Sequence, residues 1–411
     1  MSDSEVPAAR VRRARVSLVV LFSGVGILAG SLVSRTPSIR DDLQVSPAEF
    51  GTVLLTGALG GIVAFAFTGG LVARFGALRV VRSCTVGSIT GLLTMALATA
   101  LSQPILYAAG LFAALGIFEI FMAILSAEAA TLERVVDRPI LSQFHAAFSL
   151  SMLAGLGLGA GYSFAGVPVA WHFTLNGIVV GTAFLAVSRG AFLDGMPDAS
   201  AQGGEPRDFF GGIKNAVRER RTLALGLILL CAFTTEAAAG NWIPLAIVDD
   251  YSRTEAVAGL TYAGVILAQS ITRVIGVPGL ARLGRVTTLR VSALLIALGA
   301  LGFAFSPAWW LVIVALLVWG VGTAFSFPVA LSAAADERTD ATSRVAAVNV
   351  FATAGGLITP LLIGLLAEAM QIRQALLLVV VAALVIFVLS PVARVPAQLA
   401  ASAPKASPGQ S

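Results

Sequence analysis

Charge is scarce in this chain. Only 12% of its 411 residues are Asp, Glu, Lys or Arg, about half the ~25% of a water-soluble domain. Hydrophobic residues supply 57%, so water is not the only solvent this surface meets, and an ordinary soluble protein is excluded. Cysteine is nearly absent: Cys84 and Cys231 each stand alone inside an apolar run. That leaves no disulfide framework and no thiolate metal spacing, and both read as core or lipid-facing residues. The chain has two histidines and no H-E-x-x-H pair, which excludes a zinc protease. It has no G-x-x-x-x-G-K-[ST] loop, so it does not energise itself with ATP. A G-x-S-x-G nucleophile elbow is missing as well. No metal and no cofactor are expected.

What the chain has is long apolar runs. About 20 residues of helix cross the ~30 Å hydrocarbon core of a bilayer. Twelve such segments stand at roughly 16–36, 48–72, 80–101, 104–128, 142–165, 168–188, 222–247, 256–279, 286–306, 308–333, 342–367 and 373–393. The 42 glycines fit this reading, because small residues let membrane helices approach closely. Very short connections occur at "SQP" (102–104) and "SPA" (306–308), where Pro ends one helix and begins the next. The N-terminus, "RVRRARVSLVVLFSGVGILAG", resembles a signal peptide, but the many spans behind it make it an uncleaved first helix. The longest polar stretch, 189–221, is a linker between a bundle of six spans at 16–188 and a second at 222–395. Residues 1–15 and 396–411 are tails, the latter disordered.

Basic residues orient the chain. With the N-terminus in the cytoplasm, 22 of the 27 Lys and Arg fall on that side. Only Arg35, Arg40, Arg253 and Arg373 fall on the other, and Arg273 lies inside span eight. By the positive-inside rule both termini and the linker are then cytoplasmic. The net charge of +5 therefore reads as membrane topology rather than nucleic-acid binding. The chain also echoes itself. Ala73-Arg74-Phe75-Gly76 stands in the turn between spans two and three, and Ala281-Arg282-Leu283-Gly284 in the turn between spans eight and nine. The Gly permits a tight turn, and the Args anchor it at anionic headgroups. Span five carries Ala146-Ala147 and Ala154-Gly155; span eleven carries Ala346-Ala347 and Ala354-Gly355, an offset of 200. Duplication of a six-helix unit is the best account.

At these residues the chain resembles the major facilitator superfamily of secondary transporters. The family signature after span two reads roughly G-x-L-A-D-R-x-G-R-R, and "GGLVARFGALR" supplies Gly69, Leu71, Arg74, Gly76 and Arg79. Ala73, and Ala281 in the second copy, replace the signature Asp, which in the family helps latch the cytoplasmic gate. "RPILSQFHAAFSL" (138–150), "TEAAAGNW" (235–242) and "GGLITPLLIGLLAEA" (355–369) are similar to a bacterial, fucose-permease-like branch. The resemblance implies an all-α membrane protein of twelve helices in two six-helix bundles. Spans one, four, seven and ten would line a central cavity, and the bundles would rock around a midplane site. It implies a monomer in the bacterial inner membrane, and places Arg74, Gly76, Arg79, Arg282 and Gly284 at the gate.

A charge at the bilayer centre costs about 2.5–3.5 kcal/mol on insertion scales, so each intramembrane ionisable residue is a functional candidate. Glu119 lies just past the middle of span four among apolar residues; it either binds and releases a proton or ties its helix to a neighbour. Glu236 lies near the middle of span seven, beside Thr234, Thr235, Asn241 and Trp242. Trp242 either offers a flat face to a sugar or aromatic cargo or belongs to the interfacial belt. Glu128 is nine residues past Glu119, about half a rotation around the helix, and His145 begins span five at similar depth. A Glu128–His145 contact is either a gate or relay or a structural bond. His172 reads as solvated or capping near the outer surface. Arg273 snorkels, binds an anionic group or pairs with a carboxylate, and Gln269, one turn earlier, shares its face. Asn176 and Asn349 are weaker candidates. "GLGLGAG" (155–161) imitates a phosphate loop but lies inside an apolar helix, as helix-packing surface.

The expected function is proton-coupled transport of a small polar metabolite such as a sugar. Efflux of drugs or amphipathic compounds is the alternative within transport. A membrane enzyme would need nucleophile, base or metal ligands clustered at one depth, and none is found. A sensor would bring an output domain, for which the 33-residue linker is too short.

Overall fold

The computed structural model describes residues 7–138, 140–193, 216, 218–336 and 341–394. Of the expected tails, residues 1–6 and 396–411 lie outside the described residues, as does most of the linker expected at 189–221, whereas 8–15 belong to the first helix. Among those described, twelve helices are long and apolar enough to cross a bilayer. In the first half they are α1 (Ala8–Ser34), α2 (Pro47–Phe75), α3 (Ala77–Ala100), α4 (Pro104–Val136), α5 (Leu141–Phe164) and α6 (Val169–Ala191). In the second they are α7 (Arg220–Asp249), α8 (Glu255–Ile275), α9 (Arg282–Phe305), α10 (Trp309–Ala334), α11 (Ser343–Ala367) and α12 (Ile372–Ala393).

Local chemistry sets the ends. α2 opens with a capping box: Glu49 N–H donates to Ser46 Oγ at 3.3 Å, and Ser46 N–H donates to Glu49 Oε2 at 2.9 Å. Pro47 follows in the first turn, where its missing N–H leaves nothing unsatisfied. α4 likewise starts on Pro104 and ends at Asp137, whose φ of 51° breaks the helix. It runs to Val136 rather than stopping near residue 128, because Glu128, Glu133 and Arg134 are good helix formers that carry it past the apolar run. The same reason starts α1 at Ala8. A short helix, Thr36–Leu43, follows α1 and was not expected.

The internal repeat is visible in the packing. Gly76 (φ 80°) and Gly284 (φ 75°) turn the chain between successive helices, in a conformation that a β-carbon disfavours. Arg82 Nε donates to Ser188 Oγ at 3.2 Å, and Arg290 Nε to Ser390 Oγ at 3.1 Å. A β-carbon built on Gly155 of α5 would lie 2.4 Å from Ile27 O of α1; one on Gly355 of α11 would lie 2.5 Å from Leu230 O of α7. Each half thus presses its fifth helix onto its first with no side chain between. The chain forms two six-helix bundles, and α2 meets α11 and α5 meets α8 across the boundary.

Candidate functional site

Inside the first bundle, where it meets the second, lies a cavity of about 290 Å³. α1, α2, α3, α4 and α6 supply most of its wall, and the second bundle contributes Asn241, Gly356 and Pro360. Aliphatic and aromatic side chains dominate, among them Leu28, Leu54, Leu92, Met95, Phe118 and Phe121. The polar groups are Thr36, Ser88, Tyr107 and Asn241, and no charged residue lines the cavity. Thr36 is committed to its own helix, donating to Val33 O at 2.8 Å.

A second cluster lies beside it in the C-terminal bundle. Gln269 and Arg273 stand one turn apart on α8, so both face Glu236 of α7. Gln269 Nε2 and Arg273 Nη2 each donate to Glu236 Oε1 at 2.9 Å. Gln269 also donates to Thr323 Oγ1 of α10 at 3.1 Å, and Arg273 Nε to Ala324 O at 3.1 Å. Three helices are thereby tied through one carboxylate. Of the readings of Arg273, the structure shows the pairing with a carboxylate. Asn241 lines the cavity, whereas Trp242 does not: its side chain is fully buried, edge-on to Phe50 at 6.3 Å. It is neither a belt residue nor a free stacking face, since the hydrophobic core encloses it against Phe50.

Glu119 faces α2, where a β-carbon built on Gly61 would lie 3.2 Å from its Cγ. It is half-buried, outside the cavity lining, and has no charged or hydrogen-bonding partner among the described residues. Glu128 is buried, whereas His145 is exposed, its ring edge-on to Phe22 at 5.4 Å. His172 corrects the expectation of a solvated or capping residue. It is fully buried, with Nε2 3.0 Å from Asn176 Nδ2 and its ring 4.4 Å from that of Tyr162. Asn176 in turn donates to Ser31 Oγ at 2.8 Å. Gly159 of α5 lies alongside, where a built β-carbon would stand 3.5 Å from His172 Cε1 and 2.8 Å from Ser34 Cβ of α1. Asn349 serves its own helix, donating to Val345 O at 2.9 Å.

Arg74, Arg79 and Arg282 are exposed at the turns around Gly76 and Gly284. In the second copy a carboxylate comes from elsewhere. Arg285 Nη1 donates to Asp336 Oδ1 at 2.7 Å, and Arg221 Nη2 to Asp336 Oδ2 at 2.9 Å. Asp336 follows α10 and stands in for the acid that Ala281 lacks. In the first copy, Ala77 occupies the place of Arg285 after the turn glycine.

Sequence reasoning missed how the bundles are joined. Arg35 Nε lies 3.1 Å from Glu255 Oε2, and Ser38 N–H donates to Glu255 Oε1 at 2.9 Å. Arg40 Nη2 donates to Asp249 Oδ1 at 2.9 Å, and Ala48 N–H to Glu368 Oε1 at 3.0 Å. Arg35 is 3% exposed. β-Carbons built on Gly51 and Gly364 would lie 2.6 Å from Pro360 O and 2.5 Å from Pro47 O, so α2 and α11 touch backbone to backbone. All these contacts lie at the end opposite the termini. The signal was present in the sequence: Arg35 and Arg40 are two of the four basic residues on the sparsely charged side.

Comparison with known proteins comes to the same architecture. The sequence profile described as Major Facilitator Superfamily matches residues 225–410. The chain is 29% identical to an uncharacterized transporter, y4wD, of Sinorhizobium fredii, over 89% of this chain and 94% of that one. It is 24% identical to the membrane protein MosC of Rhizobium meliloti, over 88% and 85%. Among solved structures it resembles the nucleoside transporter NupG, with a TM-score of 0.78 at 12% identity over 92% and 99% of the two chains. It also resembles the transporter FucP in its outward conformation, with a TM-score of 0.64 at 14% identity over 92% and 98%.

Proposed function

We propose that the chain is a member of the major facilitator superfamily and moves a small molecule by proton-driven alternating access. The observation that carries this reading is the closure at the end opposite the termini, which Glu255, Asp249 and Glu368 hold shut. The charge count supports an orientation with the termini in the cytoplasm and the closed end on the outer side of a bacterial inner membrane, so the described state is closed outward.

Two carboxylates serve the coupling, in different ways. Glu119 has no countercharge, so a proton is the simplest partner for it in a low-dielectric surrounding. Glu236 is neutralised by Arg273; a proton arriving there would release the arginine and loosen the tie of α8 to α7 and α10. Gln269 and Arg273 position that acid, and Arg74, Arg79 and Arg282 border the inner gate. A polar, sugar-like cargo loses one support, because Trp242 is enclosed. The symport named for the E. coli fucose:proton symporter, a structural neighbour, agrees with proton coupling and leaves the cargo of this chain to its own cavity.

The coupling is tested without knowing the cargo. Spin labels across the closed end, followed from pH 5 to 9 in lipid nanodiscs, report its opening. Wild type is expected to shift with pH, and the Glu119→Gln, Glu236→Gln double variant is expected to lose part of that shift, carboxyls at the closed end supplying the rest. An unchanged shift in the double variant removes both residues from the coupling.

A further inference from the structure

We propose that the cavity of the first bundle, closed on one side by Asn241, Gly356 and Pro360 of the second, holds an uncharged, mainly apolar compound whose few hydrogen-bonding groups are read by Tyr107, Ser88 and Asn241. This rests on the transport reading and narrows it to a cargo class. With about 290 Å³ of space, the cavity lies just under the ~300–1,000 Å³ of small-molecule sites. Its wall contains no Asp, Glu, Lys, Arg or His. An ionic compound entering it would lose its water with no opposite charge to receive it. The two candidate acids are turned elsewhere, Glu119 towards Gly61 and Glu236 towards Arg273.

The polar groups are few and waiting. Among the described residues the Tyr107 hydroxyl, the Ser88 hydroxyl and the Asn241 amide have no hydrogen-bond partner, although Tyr107 is only 2% exposed. Polar groups so enclosed normally find a partner, and here a cargo atom can serve as one. They come from three helices: Tyr107 from α4, Ser88 from α3 and Asn241 from α7. An occupant that meets all three touches both bundles, as a cargo that couples to their rocking must. A sugar carries a hydroxyl on most of its carbons. Against walls of Leu, Met and Phe most of those would stay unpaired, each a loss of affinity. A ring system with one or two polar substituents leaves nothing unpaired.

A matched probe pair tests this. N-phenyl-1-naphthylamine is uncharged and has a single N–H; 8-anilinonaphthalene-1-sulfonate has the same rings plus a sulfonate. Binding of each to the full chain in nanodiscs is measured by fluorescence, with protein-free nanodiscs subtracted and glucose as competitor. The amine is expected to bind saturably, one per chain, with the sulfonate at least about tenfold weaker and glucose not competing. Asn241→Leu and Tyr107→Phe, which keep size and shape, should each weaken the amine roughly five- to tenfold. Ala58→Phe, which fills the cavity, should abolish binding. The proposal is overturned if glucose or the sulfonate competes as well as the amine, if the amine does not saturate, or if all three variants bind it normally. The transport reading is judged separately, by cross-linking Ala48→Cys to Glu368→Cys through a cleavable reagent. A protein whose ends exchange until cross-linked keeps that reading even if the probes fail, and one whose ends never exchange loses it whatever it binds.

Discussion

At the scale of single residues, the consequential ones are carboxylates whose surroundings differ. Asp336 accepts from both Arg285 and Arg221 and is 9% exposed, while the arginines keep about a quarter of their surface. Removing the acid leaves two cations facing each other. Asp336→Ala is expected to destabilise by about 2 kcal/mol, below the ~3–5 kcal/mol of a fully buried pair, and Arg285→Ala by less, since Arg221 still holds the acid. Thermal unfolding in detergent checks both. Glu219 shows the sign of a pH effect. Arg344, donating from Nε at 2.7 Å and from Nη2 at 2.9 Å, holds its carboxyl below the usual carboxylate range. A depressed folded value stabilises above the unfolded pKa of ~4.3 and is lost as pH falls through the folded one. Glu219→Gln should therefore flatten the fall of melting temperature below about pH 5, and an unchanged slope assigns the fall to other groups.

At the scale of helices, small residues decide where the bundles meet. α2 and α11 come together because Gly51 and Gly364 carry no side chain at the crossing. Gly364→Leu should wedge the closed end apart and move the population towards outward-open. Cysteine accessibility at Ile39, which lines the cavity and is 1% exposed, would rise from the outer face; unchanged labelling would show that the crossing is not the gate. This scale was also the most legible in the sequence. The twelve runs, the Gly76 and Gly284 turns and the tight packing of Gly155 follow from apolar length and glycine spacing, which are local properties. The pairing of Arg273 with Glu236 was within reach, since both are costly inside a bilayer and need a partner. The burial of His172 and Trp242 was not legible, because it depends on which helix lies opposite. Nor was the Arg35–Glu255 contact, formed by residues that each look like ordinary loop charges.

At the scale of the whole molecule, the closed end concentrates charge of both signs at the membrane boundary. Burial pushes Asp42 up against the pull of Arg35, with Glu255 adding to the rise, and burial pushes Asp250 up against the N–H of Arg373. Carboxyls with raised values bind protons more readily in the closed form than when hydrated. Acidifying that side should favour closure, and raising the pH should favour opening. High salt should weaken the same contacts, since screening acts on charges near the surface.

The central claim is that the two ends exchange, one opening as the other shuts. Double electron–electron resonance on two label pairs tests it most directly: Gln44 with Arg253 at the closed end, and Ser142 with Arg282 at the end carrying the termini, all four exposed. The account predicts that, as pH rises, the first distance lengthens while the second shortens in the same sample. Distances that stay fixed, or that lengthen and shorten together, would contradict it.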